Sequence, residues 1–350
     1  MFVVYVLSHM GSGGSVGAQP WGWWTSHKLE ILEDYLQKFV TASKTSDARI
    51  YLDLFAGWPE NKDRLTDQEV LGSVHRALAV DPPFTHIGLF ELEEKADRLD
   101  AALRARYPHR SEDFRVFAGD CNIRITAALR SLYQVRYAPT FAFIDQFAAE
   151  VHWTTFEHLA RFKPRHLTKP ELWLLFGTSF LPRGLRIGQE QIDAKFAERV
   201  TAMYGSEEWI DIIQARRSNL LSPADVRTEL INLMRYRLEW VLGYKTTHTF
   251  TMKNTHGNDL YTMIFATDHD AGDRIMRSIY GKALGRHEQM RQDAHARQKY
   301  KRAEELNRAD GVAGLFDISI DQVHAKPVAD DRVYEHHPAW EPFRLPRTGH

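Results

Sequence analysis

Ile50-Tyr51-Leu52-Asp53-Leu54-Phe55-Ala56-Gly57 is an apolar run that closes on an acid and a small-residue turn. A strand buried on both faces reads as a nearly continuous hydrophobic run, and the turn after its carboxyl end is where doubly wound sheets hold their ligands. The run predicts a central parallel strand over 50–55, with a ligand near Asp53 and Gly57.

The pattern repeats outward from that strand. Before it, Leu29, Leu32, Leu36 and Phe39 recur at three- and four-residue spacing, which predicts a helix capped by Thr25 or Ser26 and lying against the sheet. After it comes a polar stretch at 58–68, expected to be irregular, then a helix over about 72–80 that stops at Asp81-Pro82-Pro83. A second apolar run at 85–90 closes on Glu91 and leads into a charged helix at 93–107. A short strand at 114–117 ends at Gly119-Asp120-Cys121-Asn122, and a helix follows at 123–132. A fourth strand at 140–144 is stopped by Asp145, and 172–176 supplies a fifth. Strands alternating with helices, with an acid at strand ends, predict an open α/β sheet.

A chain of 350 residues with 43% apolar content is long enough for two modest cores, so two domains are expected. With 45 basic and 46 acidic side chains, no global field draws the molecule toward nucleic acid or membrane. One cysteine, Cys121, excludes an internal disulfide and a multi-cysteine metal site, and the expected compartment is the cytoplasm. The first seven residues are apolar but too short for a membrane span and lack a basic flank, and a Gly/Ser-rich segment at 11–17 follows. Residues 1–20 are expected to be a flexible lead-in outside the fold, and no membrane partner is expected.

Each strand-end acid has a chemical and a structural reading. Glu91 can accept the hydroxyl protons of a ribose, or be a solvated turn residue or cap. Asp120 can accept from an adenine amino group, or cap the helix that follows it. Asp145 stands where a substrate would meet a cofactor and can accept a proton or orient a nucleophile, or cap its own downstream segment. The acids at successive strand ends are stronger evidence together than singly.

The chain from Trp21 to about Leu284 resembles the three-Cys-motif partner proteins. The pieces that carry the resemblance are Trp24-Thr25-Ser26-His27-Lys28-Leu29-Glu30-Ile31-Leu32, Tyr51-Leu52-Asp53-Leu54-Phe55-Ala56-Gly57, Gly72-Ser73, Gly119-Asp120-Cys121-Asn122, Phe143-Ile144-Asp145 and Trp153-Thr154-Thr155. Leu172-Trp173-Leu174-Leu175-Phe176, Tyr204-Gly205 and the block from Met252-Lys253-Asn254 to Ile264-Phe265-Ala266-Thr267 extend it in order. That family is similar to class I S-adenosylmethionine-dependent methyltransferases. The resemblance implies a doubly wound Rossmann-like methyltransferase sheet over 21–190 and a smaller winged-helix-like helix and hairpin region over 191–285. It also implies S-adenosylmethionine as cofactor and a separate three-cysteine-motif, radical-SAM-like partner protein. Asp53, Ala56 and Gly57 would hold the methionine end, Glu91 the ribose, and Asp120 with Cys121 the adenine, while Asp145 and Gln146 would stand beside the reacting atom.

Two motifs depart from the family pattern. Gly57 is followed by Trp58-Pro59-Glu60 instead of a second flexible glycine turn, and Asp145 by Gln146-Phe147-Ala148-Ala149 instead of a proline. The alternative function is therefore a methyltransferase-fold binding module without turnover, working with its cysteine-motif partner.

Beyond the sheet, 223–242 predicts a helix and 248–266 a hairpin turning at Asn254-Thr255-His256-Gly257-Asn258. They would form a winged-helix element touching nucleic acid, or simply pack on the sheet. The segment at 286–308 predicts an exposed helix of mixed charge, able to meet phosphates or merely solvated. The histidines His287, His295, His336 and His337 lack ligand spacing, so no metal is expected. The end of the chain, 336–350, is read as an extended arm or disordered.

Overall fold

The computed structural model describes residues 20–346 apart from 59, 64, 67, 180, 183–184, 186–192, 310–319 and 328–331. The lead-in expected at residues 1–20 lies, but for Pro20, outside the described residues.

The chain opens with β1 (Pro20–Trp21) and α1 (Trp23–Ala42), then β2 (Ile50–Asp53), β3 (Glu60–Asp63), β4 (Glu69–Leu71) and α2 (Ser73–Ala79). There follow β5 (His86–Glu91), α3 (Glu93–Arg106), β6 (Phe114–Ala118), α4 (Cys121–Ser131), β7 (Thr140–Ile144), α5 (Trp153–Ala160) and β8 (Glu171–Phe176). The second half supplies α6 (Ala194–Tyr204), α7 (Trp209–Arg217), α8 (Pro223–Tyr236), β9 (Thr246–Lys253), β10 (Asp259–Thr267) and the 40-residue α9 (Asp270–Ala309).

One seven-stranded sheet organises these elements in the order β6-β5-β2-β7-β8-β10-β9. Every neighbouring pair is parallel except those made by β10, which runs antiparallel to both β8 and β9. β2, β7 and β8 are buried along their whole length, as expected of strands covered on both faces. One apolar layer packs α1, α2, α3 and α9 on Tyr51, Leu89, Phe141, Phe143 and Trp173. The other packs α4 to α8 on Ile50, Leu52, Ala142, Leu172 and Leu174.

The hairpin at 248–266 is where structure and expectation part. It is not a wing projecting from a separate module. β10 pairs with β8, setting Phe265 against Trp173 and Ile264 against Leu174, and so extends the main sheet. The physical reason is visible in β10 itself, where successive residues from Tyr261 to Thr267 are buried whichever face they point to, whereas a wing leaves one face to solvent. The boundary expected at 285/286 falls inside α9, whose Met276, Ile279, Tyr280 and Ala283 bury against the sheet before the charged stretch begins.

Smaller differences have local causes. α1 begins two residues before Thr25, after Gly22, because burying Trp23 draws the first turn forward. The stretch at 58–68 contains β3, which pairs with β4 and with β1 to form a separate three-stranded sheet. The tail is extended and docked: Asn232 exchanges two hydrogen bonds with the Trp340 backbone, and Glu229 accepts from the Trp340 indole at 3.0 Å and the Phe343 amide at 3.1 Å. Among the described residues no helix is long and apolar enough to cross a membrane.

Candidate functional site

From β2 the chain steps outward to β5 and β6, then returns to the other side of β2 as β7, so the strand order reverses between β2 and β7. Such a switch point opens a crevice at the carboxyl ends of the strands. Asp53 is level with Leu89 on one side and Phe143 on the other. Residues two apart on a strand share a face, so Glu91 at the end of β5 stands one step further out on the same face as Asp53, and Asp145, directly after β7, is close enough for its charge to act on Asp53. With strands about 4.8 Å apart, these two acids flank a gap of roughly 10 Å.

The loop after β2 crosses that gap. The Leu54 amide donates to the Phe143 carbonyl and the Ala56 amide to the Phe90 carbonyl, both at 3.0 Å. Gly57 then turns with φ 63° and, across the rim, Gly119 turns with φ 111°, backbone conformations that a side chain would strain. Instead of entering a helix directly, the chain leaves at Gly57 for the β3–β4 hairpin and returns at Ser73, beside Asp53. Trp58 packs its ring over the Arg98 guanidinium of α3, 5.3 Å from the ring centre, while its carbonyl accepts from Asn61 at 3.0 Å. The bulky residue after Gly57 is thus accommodated by lengthening the connection.

Asp53 is fully buried. Its carboxyl accepts from the Tyr51 hydroxyl at 3.0 Å, the Phe55 amide at 3.2 Å and the Ser73 hydroxyl. Burial pushes it up to about 7 against the opposing effect of those donors. Asp145 is held from α1: the Lys28 ammonium, 5% exposed, reaches it at 2.5 Å and lies between the rings of Phe143 and Tyr261. Glu91 is half-buried, with one carboxyl oxygen on the Leu92 amide at 2.9 Å.

The other expected site residues have different neighbours. Asp120 is exposed and caps α4, accepting from the Asn122 amide at 2.8 Å. Cys121 is buried in the opposite layer, and burial first, then the nearby Asp120 charge, pushes its thiol up to about 12. Gln146 is completely buried, and its amide is engaged within the chain. The oxygen accepts from the Glu150 and Val151 amides at 3.0 Å, and the nitrogen donates to the Leu175 carbonyl at 3.3 Å. Ala56 lines the loop at 5% exposure.

Three rim residues had no expected role. Lys28 shows in sequence only as a lysine on the apolar stripe of α1. Ser73 follows Gly72 and reads as a helix start. Asn122 clamps the loop after β7, donating to the Glu150 carbonyl and accepting from the His152 amide and the Thr155 hydroxyl, each at 2.8 Å; these partners are 28 to 33 residues away and leave no local signal.

Apolar side chains stand exposed at the same rim, with Leu92 53% and Ile123 73% exposed beside the Glu91 and Asp120 strand ends. Two cavities lie off this rim, one of about 270 Å³ at the amino edge of β7 and β8 and one of about 450 Å³ between α8, β9 and the tail. Among the described residues no three His, Cys, Asp or Glu side chains converge as metal ligands.

No protein-family model matches the chain, and no curated protein matches it. Among solved structures, the crystal structure of the YcgJ protein from Bacillus subtilis aligns with 66% of this chain and 95% of its own, at 13% identity and a TM-score of 0.23. A likeness that weak carries no argument.

Proposed function

We propose that the carboxyl rim binds S-adenosylmethionine and that the chain is a methyltransferase-type protein of the three-Cys-motif partner kind, transferring a methyl group to a nitrogen or oxygen of an acceptor such as nucleic acid. The observation that carries this reading is the gathering of Asp53, Glu91 and Asp145 at the carboxyl ends of three adjacent strands at the switch point.

The rim's acceptors suit an adenosyl group. Glu91 would accept the ribose hydroxyls, and the second carboxyl oxygen of Asp120 would accept from an adenine amino group. Exposed Leu92 and Ile123 offer apolar faces to a purine. Asp53 would fix the loop that takes the methionine end, accepting from the Phe55 amide within it. The cofactor would supply an activated methyl group; the chain's task is to align the acceptor with it, which is where most of the rate advantage of such a transfer arises.

A second reading is favoured by the loop after β7. Asp145 is already paired with Lys28, and the Gln146 amide is engaged in the loop's own backbone. A rim that binds the cofactor without turnover, and presents it to a cysteine-motif partner protein, fits those two facts.

Calorimetric titration with S-adenosylmethionine and S-adenosylhomocysteine tests both readings. Binding is expected, and Glu91→Ala should weaken it at least about tenfold through the lost hydroxyl contacts. Absence of binding overturns both readings. A tritiated-methyl screen over DNA, RNA and protein then separates them: transfer supports the enzyme, and binding without transfer supports the module.

A further inference from the structure

At the opposite edge of the sheet, where β7 and β8 begin, lies the cavity of about 270 Å³. It is just below the range of about 300–1,000 Å³ that holds drug-sized ligands, so its occupant is smaller. The end of α1 gives Tyr35, Phe39 and Ser43, the approach to β8 gives Lys163 and Lys169, and the start of α9 gives Gly272 and Ile275.

The wall's polar groups are largely committed. Buried Glu171 accepts from the Tyr35 hydroxyl at 2.6 Å and the Thr267 hydroxyl at 2.8 Å. It lies so close against α9 that a Cβ on Gly272 would overlap its carboxyl oxygen. The Lys169 ammonium donates to the Gly243 carbonyl at 2.8 Å and to Asp268 at 3.2 Å. His269 accepts from the Ala271 amide at 3.0 Å, and the Ser43 and Thr140 hydroxyls donate to the Phe39 and Ala138 carbonyls.

Lys163 is the charged group not so committed. It lines the cavity at 9% exposure and makes no hydrogen bond or ion pair among the described residues. Its side chain is largely buried, and burial lowers its pKa while the more distant Asp268 and Glu171 charges oppose that shift. The rest of the lining includes apolar faces of Phe39, Leu167 and Ile275.

We propose that this cavity is a second ligand site, distinct from the carboxyl rim, which takes a small organic acid whose single carboxylate pairs with Lys163 and whose apolar body lies against Phe39 and Ile275. A monoanion is the matching charge, because one cation is unmatched by contact and Glu171 and Asp268 stand close enough to repel a second negative charge. The proposal does not depend on what the carboxyl rim binds.

Benzoate is the probe, titrated calorimetrically into the full chain with benzamide as its neutral counterpart. Wild type is expected to bind benzoate with a Kd in the range of about 1 mM or tighter and to bind benzamide at least about tenfold more weakly. Lys163→Met should weaken benzoate at least about tenfold, while Lys163→Arg, which keeps the cation, should retain it. Circular dichroism establishes that both variants are folded; if Lys163→Met is not, the comparison of benzoate with benzamide on wild type decides alone. No benzoate binding by wild type, equal binding of benzamide, unchanged affinity in a folded Lys163→Met, or inorganic phosphate binding more tightly than benzoate would each overturn the proposal.

Discussion

The two edges of the one sheet carry the same small device. At the carboxyl edge Asp53 is buried under a tyrosine, Tyr51, and a hydroxyl, Ser73; at the amino edge Glu171 is buried under Tyr35 and Thr267. Burial pushes both carboxyls up to about 7. What surrounds them differs. Around Asp53 are further acids at strand ends and glycine turns, whereas around Glu171 are lysines and the walls of a half-open cavity. A shifted carboxyl therefore does not mark a site by itself. The direction of the strands distinguishes the two edges, because loops after parallel strands gather at the carboxyl edge beside the amino ends of the following helices, where backbone N–H groups and turns are available for a ligand.

The equivalence of the two carboxyls can be tested first through pH, where the largest effect is expected. Each folded pKa lies above the unfolded value, so the folded chain binds protons more tightly between about 4 and 7, and stability present at low pH is lost as pH rises through about 7. Asp53→Asn and Glu171→Gln should each remove part of that slope, of the order of 3 kcal/mol between pH 4 and 8. Denaturant titrations across this range measure it, and a slope changed by only one variant would break the parallel.

The next effect belongs to the carboxyl edge alone. Asp145→Ala strands the Lys28 ammonium among aromatic rings and should cost about 2 kcal/mol in urea unfolding, reduced from a fully buried pair because Asp145 is partly exposed. Adding Lys28→Met should recover most of it. A single variant as stable as wild type would show that the pair does not hold this edge.

Smaller again is the loss of one hydroxyl donor at each edge. Ser73→Ala and Thr267→Val should each destabilise by about 1 kcal/mol and raise the corresponding carboxyl pKa further, readable by NMR titration of the side-chain carbon. Unequal shifts would rank the two devices. The smallest effect is none: Cys121, buried and with its thiol pushed up to about 12, should resist iodoacetamide at pH 8 until the chain is unfolded. Rapid native labelling would place it in the crevice after all.

Legibility followed the range of the interactions. β2, β5, β6, β7 and β8 stand within a residue or two of where apolar runs place them, since burial on both faces leaves a continuous hydrophobic signature. The β9–β10 hairpin was equally readable, but the β8 residues it pairs with lie about 90 residues earlier, and nothing within the hairpin names that partner. β3 was invisible because its neighbours are β4 and the two residues of β1, so pairing and not its own composition makes it a strand. The same holds for the acids. Asp53, Glu91 and Asp145 could be picked out at strand ends, but the Lys28 that engages Asp145 is 117 residues away, and Gln146 gave no sign that its amide would be engaged by its own loop.

Composition and periodicity along the chain determined the central strands, most of the helices between them and the row of acids at one edge, because each depends on a few neighbouring side chains. The order of the strands, the reversed β10 that absorbs the hairpin, and the amino-edge cavity around Lys163 were decided only in three dimensions. Those features come from segments scattered between Tyr35 and Ile275, each unremarkable locally, which acquire their chemistry only where folding removes them from water together.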